Sequence, residues 1–340
     1  NGADVNAQGG QYGNALQAAA RWGDMEVVQL LVEHGAYVNA QGGEFCTALQ
    51  AACASDSGGQ EIVHILLEKG ADVNVHGGVY GNALHAAANN GKMEVVKMLL
   101  ERGADVDTPS GEKSNALCAV SARGDKEVVQ MLIDKGADVN AEDSYYGSPL
   151  QAACSGSHRE LVQLLLERGA NASAQGGHDG SALTAACFEG HIEIVQLLLQ
   201  SGADVNAQGG YYGNALQAAS VRGHVEVAQL LLERGADINV QGGEYGTALH
   251  AACYWGNKDV VQLLIEKSAE INVQCGKYGT ALQAACFGGD KEIVQLLLER
   301  GADVNTRGGL YGSALKAAVD AGQDEIVQLL LDHGAQRIGF

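Results

Sequence analysis

An all-α solenoid of ten helix-turn-helix repeats with hairpin-like loops is the fold this 340-residue sequence predicts. Three observations predict it. A small residue followed by leucine returns at Leu16, Leu49, Leu84, Leu117, Leu150, Leu183, Leu216, Leu249, Leu282 and Leu315, always 33 residues apart except for one step of 35. The position two residues before that leucine is a good helix cap in every copy. The chain holds 47 glycines, 2 prolines and only 5% aromatic residues, a composition that suits many thin, closely packed layers rather than one large core. A fixed period of this length is the mark of stacked units, none of which buries its apolar face alone. One array over 1–340 is expected, with the two extra residues in Ser55-Asp56-Ser57-Gly58-Gly59.

The elements of one copy follow in order. The first helix opens at Asn14, Thr47, Asn82, Asn115, Ser148, Ser181, Asn214, Thr247, Thr280 or Ser313, whose side chains accept from the first free backbone N–H groups. Gln17, Gln50, Gln151, Gln217 and Gln283 stand three residues on, where a capping box is expected. Ala-Ala pairs keep this helix thin, with Val120 the exception. The second helix, as in Ile192–Leu199, is apolar on nearly every side and so is expected between neighbours. An acid such as Glu193 sits in its first turn in all ten copies, where it complements the helix dipole. Gly35, Gly70, Gly202 and Gly301 follow as left-handed terminators. Ser268 replaces that glycine and Cys275 replaces the first glycine of its loop. Left-handed strain of about 1–2 kcal/mol is expected from such replacements.

The loop reads Gly-Gly-x-Tyr-Gly, as in Gly209-Gly210-Tyr211-Tyr212-Gly213. A phosphate-cradling loop occurs once and ends in Gly-Lys-Ser/Thr. This loop recurs in every copy with variants and lacks that lysine; Gly111-Glu112-Lys113-Ser114 comes nearest, with the wrong spacing. No cofactor is expected. Of eight cysteines, Cys53, Cys154, Cys187, Cys253 and Cys286 share one site in different copies. Stacked layers hold them about 8–10 Å apart, beyond the roughly 7 Å reach of a disulfide. They read as buried thiols of an intracellular, reducing compartment. Zinc-ligand spacings are missing, so no metal is expected. His158, His191 and His224 share one helix start; because they recur, they read as structural. No catalytic constellation can be singled out, and no enzyme is expected. The net charge of −20 is spread over recurring acids, which disfavours nucleic acid. No apolar run is long enough to span a membrane. The chain begins inside a motif that recurs later and is expected to be part of a longer polypeptide.

Gly202-Ala203-Asp204-Val205-Asn206-Ala207, Asn214-Ala215-Leu216-Gln217-Ala218-Ala219, Gly223-His224, Glu226-Val227 and Leu230-Leu231-Leu232 together resemble the ankyrin repeat. The family pattern is Thr-Pro-Leu-His, Ala-Ala, Gly-His, Glu-Ile-Val and Leu-Leu-Leu, and Ser148-Pro149-Leu150 keeps its proline. The resemblance covers essentially the whole chain. The loop departs from the family's Asp-x-x-Gly tip, and in this it resembles the long arrays of fungal NACHT switch-domain receptors. The resemblance implies a non-catalytic scaffold that binds a protein on its concave groove. A spacer, or an autoinhibitory or oligomerising arm of a larger receptor, is the alternative. A monomer is expected.

Side chains that vary among copies are the candidates for recognition. Two sets vary most. One is the loop tip before the tyrosine, including Glu112, Tyr145, Tyr211 and Lys277. The other is the residue pair ending the first helix, including Arg21-Trp22, Asn89-Asn90, Phe188-Glu189, Val221-Arg222, Tyr254-Trp255 and Phe287-Gly288. From these, Arg21, Trp22, Tyr145, Phe188, Glu189, Tyr211, Arg222, Tyr254, Trp255, Lys277 and Phe287 are the expected partner-binding residues, since aromatic and arginine side chains dominate binding hot spots. The recurring loop ring (Tyr12, Phe45, Tyr80, Tyr146, Tyr212, Tyr245, Tyr278, Tyr311) leaves two readings open, a packing ladder or a row of rings offered to a partner. Lys113 and Asp179 interrupt it.

Overall fold

The computed structural model describes residue 2, residues 4–106 and residues 115–336. Glu112, Lys113 and the rest of the Gly111–Ser114 stretch lie outside the described residues. The chain divides into two compact units, Asn1–Ala170 and Asn171–Phe340, with five helix pairs in each. In the N-terminal unit the first helices of the pairs are Ala15–Trp22, Ala48–Cys53, Ala83–Asn89, Ala116–Arg123 and Pro149–Ser155. In the C-terminal unit they are Ala182–Glu189, Ala215–Arg222, Ala248–Tyr254, Ala281–Gly288 and Ala314–Asp320. Within each unit these alanine-rich helices make the closest packing between successive layers. Their alanines, leucines and cysteines form the core together with the valines, isoleucines and leucines of the second helices, such as Ile62, Val63 and Leu66.

Every first helix is capped as its sequence predicts. The ten cap side chains, from Asn14 to Ser313, each accept from the backbone N–H three residues on. The capping box forms at Thr280 and Gln283. Gln283 also donates its Nε2 to the Thr306 and Gly308 carbonyls of the next copy, both at 3.2 Å, and at Gln17, Gln50 and Gln217 the amide makes the same crossing. Gln217 donates to the carbonyls of Val240, Gly242 and Gly246 at 3.3, 3.2 and 2.6 Å. Gln17 treats Ala40, Gly42 and Cys46 the same way, and Gln50 reaches Val75. The crossing uses the amide Nε2 and a box uses the Oε1, so the two do not compete, and each crossing adds a bond to a loop carbonyl whose loss would cost about 1–3 kcal/mol.

Two further cross-links repeat. Asn206 donates to the Gly235 carbonyl at 3.1 Å and accepts from the Asp237 N–H at 2.8 Å; Asn39, Asn74 and Asn272 make the same staple. At the start of the second helix, His158 and His224 donate to the Ala122 and Phe188 carbonyls, both at 3.0 Å. Asn257 does so toward Ser220 and Val221. These histidines therefore hold layers together, as their recurrence predicts.

Among the described residues the loops are short hairpins. Gln175 and Gly176 pair antiparallel with Ser181 and Gly180, and single bridges such as Gly242 to Gly246 mark the same hairpin elsewhere. The tips join backbone to backbone: Tyr211 donates to His178, Glu244 to Tyr211 and Leu310 to Lys277, at 2.9–3.1 Å. The N-terminal unit repeats this from Gln11 through Glu44 to Val79.

Among the described non-glycine residues, φ is positive at Cys46 (68°), Ser157 (63°) and Ser268 (68°). Ser268 is thus left-handed, as expected. Cys275 is not, which corrects the strain expected there. It lies on an arm of its hairpin and donates its N–H to Gly279 at 2.8 Å, a place where extended backbone serves as well as glycine. Asn239, whose staple would fall on the Ser268 carbonyl, reaches the Glu270 carboxylate at 3.4 Å instead. Ser268→Gly is expected to raise stability by about 1 kcal/mol; thermal melting checks this, and a clear fall in melting temperature would refute it.

Candidate functional site

The variable helix-end pair separates into two positions with different surroundings. At the first position the side chain packs on the loop ring of the next copy. Phe188 stacks on Tyr212 at 4.4 Å between centroids, Tyr254 on Tyr278 at 4.5 Å and Phe287 on Tyr311 at 4.6 Å. Arg21 lays its guanidinium 5.5 Å over Phe45 and pairs with Asp56 at 3.4 Å. These four side chains are all half-buried. Phe188, Tyr254 and Phe287 thus spend part of their surface on the neighbouring layer, because burying a ring between two layers stabilises more than leaving it in water. At the second position Trp22 and Trp255 stay 65% and 52% exposed. Arg222 is exposed and Glu189 half-buried.

The loop rings form a ladder. Tyr12, Phe45 and Tyr80 stack in sequence at 6.3 and 6.4 Å; Tyr245, Tyr278 and Tyr311 do the same in the C-terminal unit. Burial pushes the Tyr212 and Tyr245 hydroxyls up to about 12, so neither is an acid or base near neutrality. Of the remaining tip candidates, Tyr145 is 65% exposed and meets its neighbour Tyr146 edge-on at 4.9 Å. Lys277 is exposed but pairs with Glu244 at 3.3 Å.

In the C-terminal unit four of the predicted residues converge. Phe188, Tyr211, Arg222 and Trp255 line one cleft of about 510 Å³. Tyr212 and Tyr245 form the rest of its aromatic wall, with Val221 and Asn257 at its base. Copy seven carries Val221 where copies six, eight and nine place Phe188, Tyr254 and Phe287, and both Val221 and Tyr245 are buried. Among the described residues no stacking contact joins Tyr212 to Tyr245, and both line the cleft. Arg222 sets its guanidinium 4.9 Å over Phe188. Tyr211 is 45% exposed at the rim and stacks on His178 at 5.5 Å. The other predicted residues lie outside the cleft: Arg21, Trp22 and Tyr145 belong to the N-terminal unit, and Glu189, Tyr254, Lys277 and Phe287 are not in its lining. The sequence left Tyr212 and Tyr245 open between a packing ladder and rings offered to a partner, and passed over Asn257.

Burial pushes the Cys53 thiol up to about 12 and the Cys275 thiol to about 11. It holds the His85 and His250 imidazoles down to about 4. His250 accepts from the Thr247 hydroxyl at 2.7 Å and donates to the Gly279 carbonyl at 3.1 Å, which spends both ring nitrogens on structure. Among the described residues no three His, Cys, Asp or Glu side chains gather as a metal would require. No helix among them is long and apolar enough to cross a membrane.

A family model described as ankyrin repeats (3 copies) matches residues 1–77, 78–143, 117–209, 150–242, 208–275 and 249–338. Comparison with curated proteins gives no match.

Proposed function

The chain belongs to the ankyrin-repeat family, whose repeats generally mediate protein–protein interaction, and from that premise we propose that it is a non-catalytic scaffold that grips a protein partner with hairpin tips and helix ends along its groove. The observation that carries this reading is the division of side chains. Recurring ones are spent on cross-links between layers, while Trp22, Tyr145, Tyr211, Arg222 and Trp255 stand exposed. Three of these five meet at one aromatic cleft. Its supports are rigid, so little ordering entropy is lost on docking. The free thiols support an intracellular, reducing setting. The Gly-Gly-x-Tyr-Gly loop supports an array of the fungal NACHT-receptor type.

Trp255→Ala tests the reading. Affinity capture from the source organism with wild-type and Trp255→Ala chains is expected to lose a partner in the variant, with tenfold or more weaker binding once that partner is purified. Its melting temperature stays within about a degree of wild type. A spacer predicts identical captures from both chains. Tyr254 is left intact, because replacing it would disturb the stack on Tyr278 and confuse stability with binding.

A further inference from the structure

We propose, resting on the recognition reading above, that the cleft receives an extended peptide segment of the partner: one large apolar side chain enters between the rings and a single neighbouring carboxylate is held by Arg222. The volume of about 510 Å³ admits one or two large side chains, and the walls are aromatic. Arg222 supplies the polar selectivity. Its guanidinium is braced against Phe188, and an arginine stacked on a ring keeps its N–H donors for a planar acceptor. Arg222 forms no ion pair among the described residues. Lys277 and Lys258, on the next copies, are paired with Glu244 and Glu292. The cleft therefore offers a guanidinium outside any ion pair, in a chain whose net charge is −20.

A cationic side chain fits less well. The Phe188 face that would attract it already carries Arg222, and like charge would oppose it at the mouth. Asp179 and Glu189 act on the Tyr212 side of the cleft, so one carboxylate matches the site and an acidic run does not. Neighbouring copies lie about 10 Å apart, which three residues of extended chain span at about 3.3 Å each. The apolar residue and the acid accordingly fall within three positions of each other.

The test is a random dodecapeptide phage library selected in parallel on the full chain and on its Arg222→Glu variant. The wild-type pool is expected to enrich a Phe, Tyr, Trp or Leu within three positions of an Asp or Glu. The best peptide, made synthetically, should bind Arg222→Glu about ten- to a hundredfold more weakly, with Arg222→Lys in between. Trp255→Ala should also weaken it about tenfold. Both side chains are exposed, and circular dichroism melting checks that the variants fold. Enrichment of Lys or Arg in the acid's place overturns the inference. So does a peptide that Trp255→Ala weakens and Arg222→Glu does not, although that result leaves the recognition reading standing. Binding indifferent to both variants, or no enriched pool at all, overturns both.

Discussion

Gly276→Ala is expected to destabilise the C-terminal unit by about 2–5 kcal/mol. Two costs add. Gly276 has φ +64°, where an L side chain costs about 1–2 kcal/mol. A Cβ there would also meet the Tyr245 carbonyl oxygen at 2.5 Å and carbon at 2.6 Å, and the Gly246 nitrogen at 2.8 Å. Those are backbone atoms of the preceding hairpin and cannot swing aside, and overpacking of this kind costs about 1–3 kcal/mol. Gly301→Ala is the control. It shares the positive φ, +88°, but nothing lies within 4 Å of its Cβ, so only the backbone cost applies. Repeat arrays do not unfold as one two-state body. The readout is therefore hydrogen exchange in the 242–246 and 275–279 hairpins, with calorimetry beside it. Equal effects at the two positions would show that close approach of the hairpins is not what the second glycine of the loop serves.

Tyr278→Ala is expected to cost about 3–5 kcal/mol, the usual range for deleting a buried ring. Tyr278 is 5% exposed and packs against Tyr245, Tyr254, Phe287 and Tyr311. Its hydroxyl is raised well above the usual phenol range by burial and by its hydrogen bond with Tyr254. Tyr278→Phe keeps the stack and loses that bond, so about 1 kcal/mol is expected. Denaturant melts of both variants beside Trp255→Ala check the ordering. A Tyr278→Ala chain as stable as Trp255→Ala would mean that the ladder does not hold the loops.

How much could be read without coordinates depended on how far each side chain reaches. The ten caps were legible because a cap satisfies an N–H only three residues away. The glutamine cross-links were not, because Gln217 finds its partners 23–29 residues on and looks like a local box from sequence alone. The terminator at Ser268 was legible, but Cys46 and Ser157, equally left-handed, were passed over. The candidate site was half legible. Variation among copies identified the helix-end pair but could not separate its members, since both vary. Contact separates them: Phe188 meets Tyr212, Tyr254 meets Tyr278 and Phe287 meets Tyr311, always 24 positions apart. Val221 stands at the same offset from Tyr245 and lines the cleft with it.

The backbone bonding of hairpin tips has a consequence for inheritance. Because main chain joins main chain from His178 to Tyr211 to Glu244, adhesion there does not depend on which amino acid occupies the apex. A gene encoding such modules can exchange, duplicate or recolour them one at a time by recombination, and each descendant arrives already folded with a new pattern of apices. Diversity in what is recognised and constancy in how the body coheres are then inherited separately.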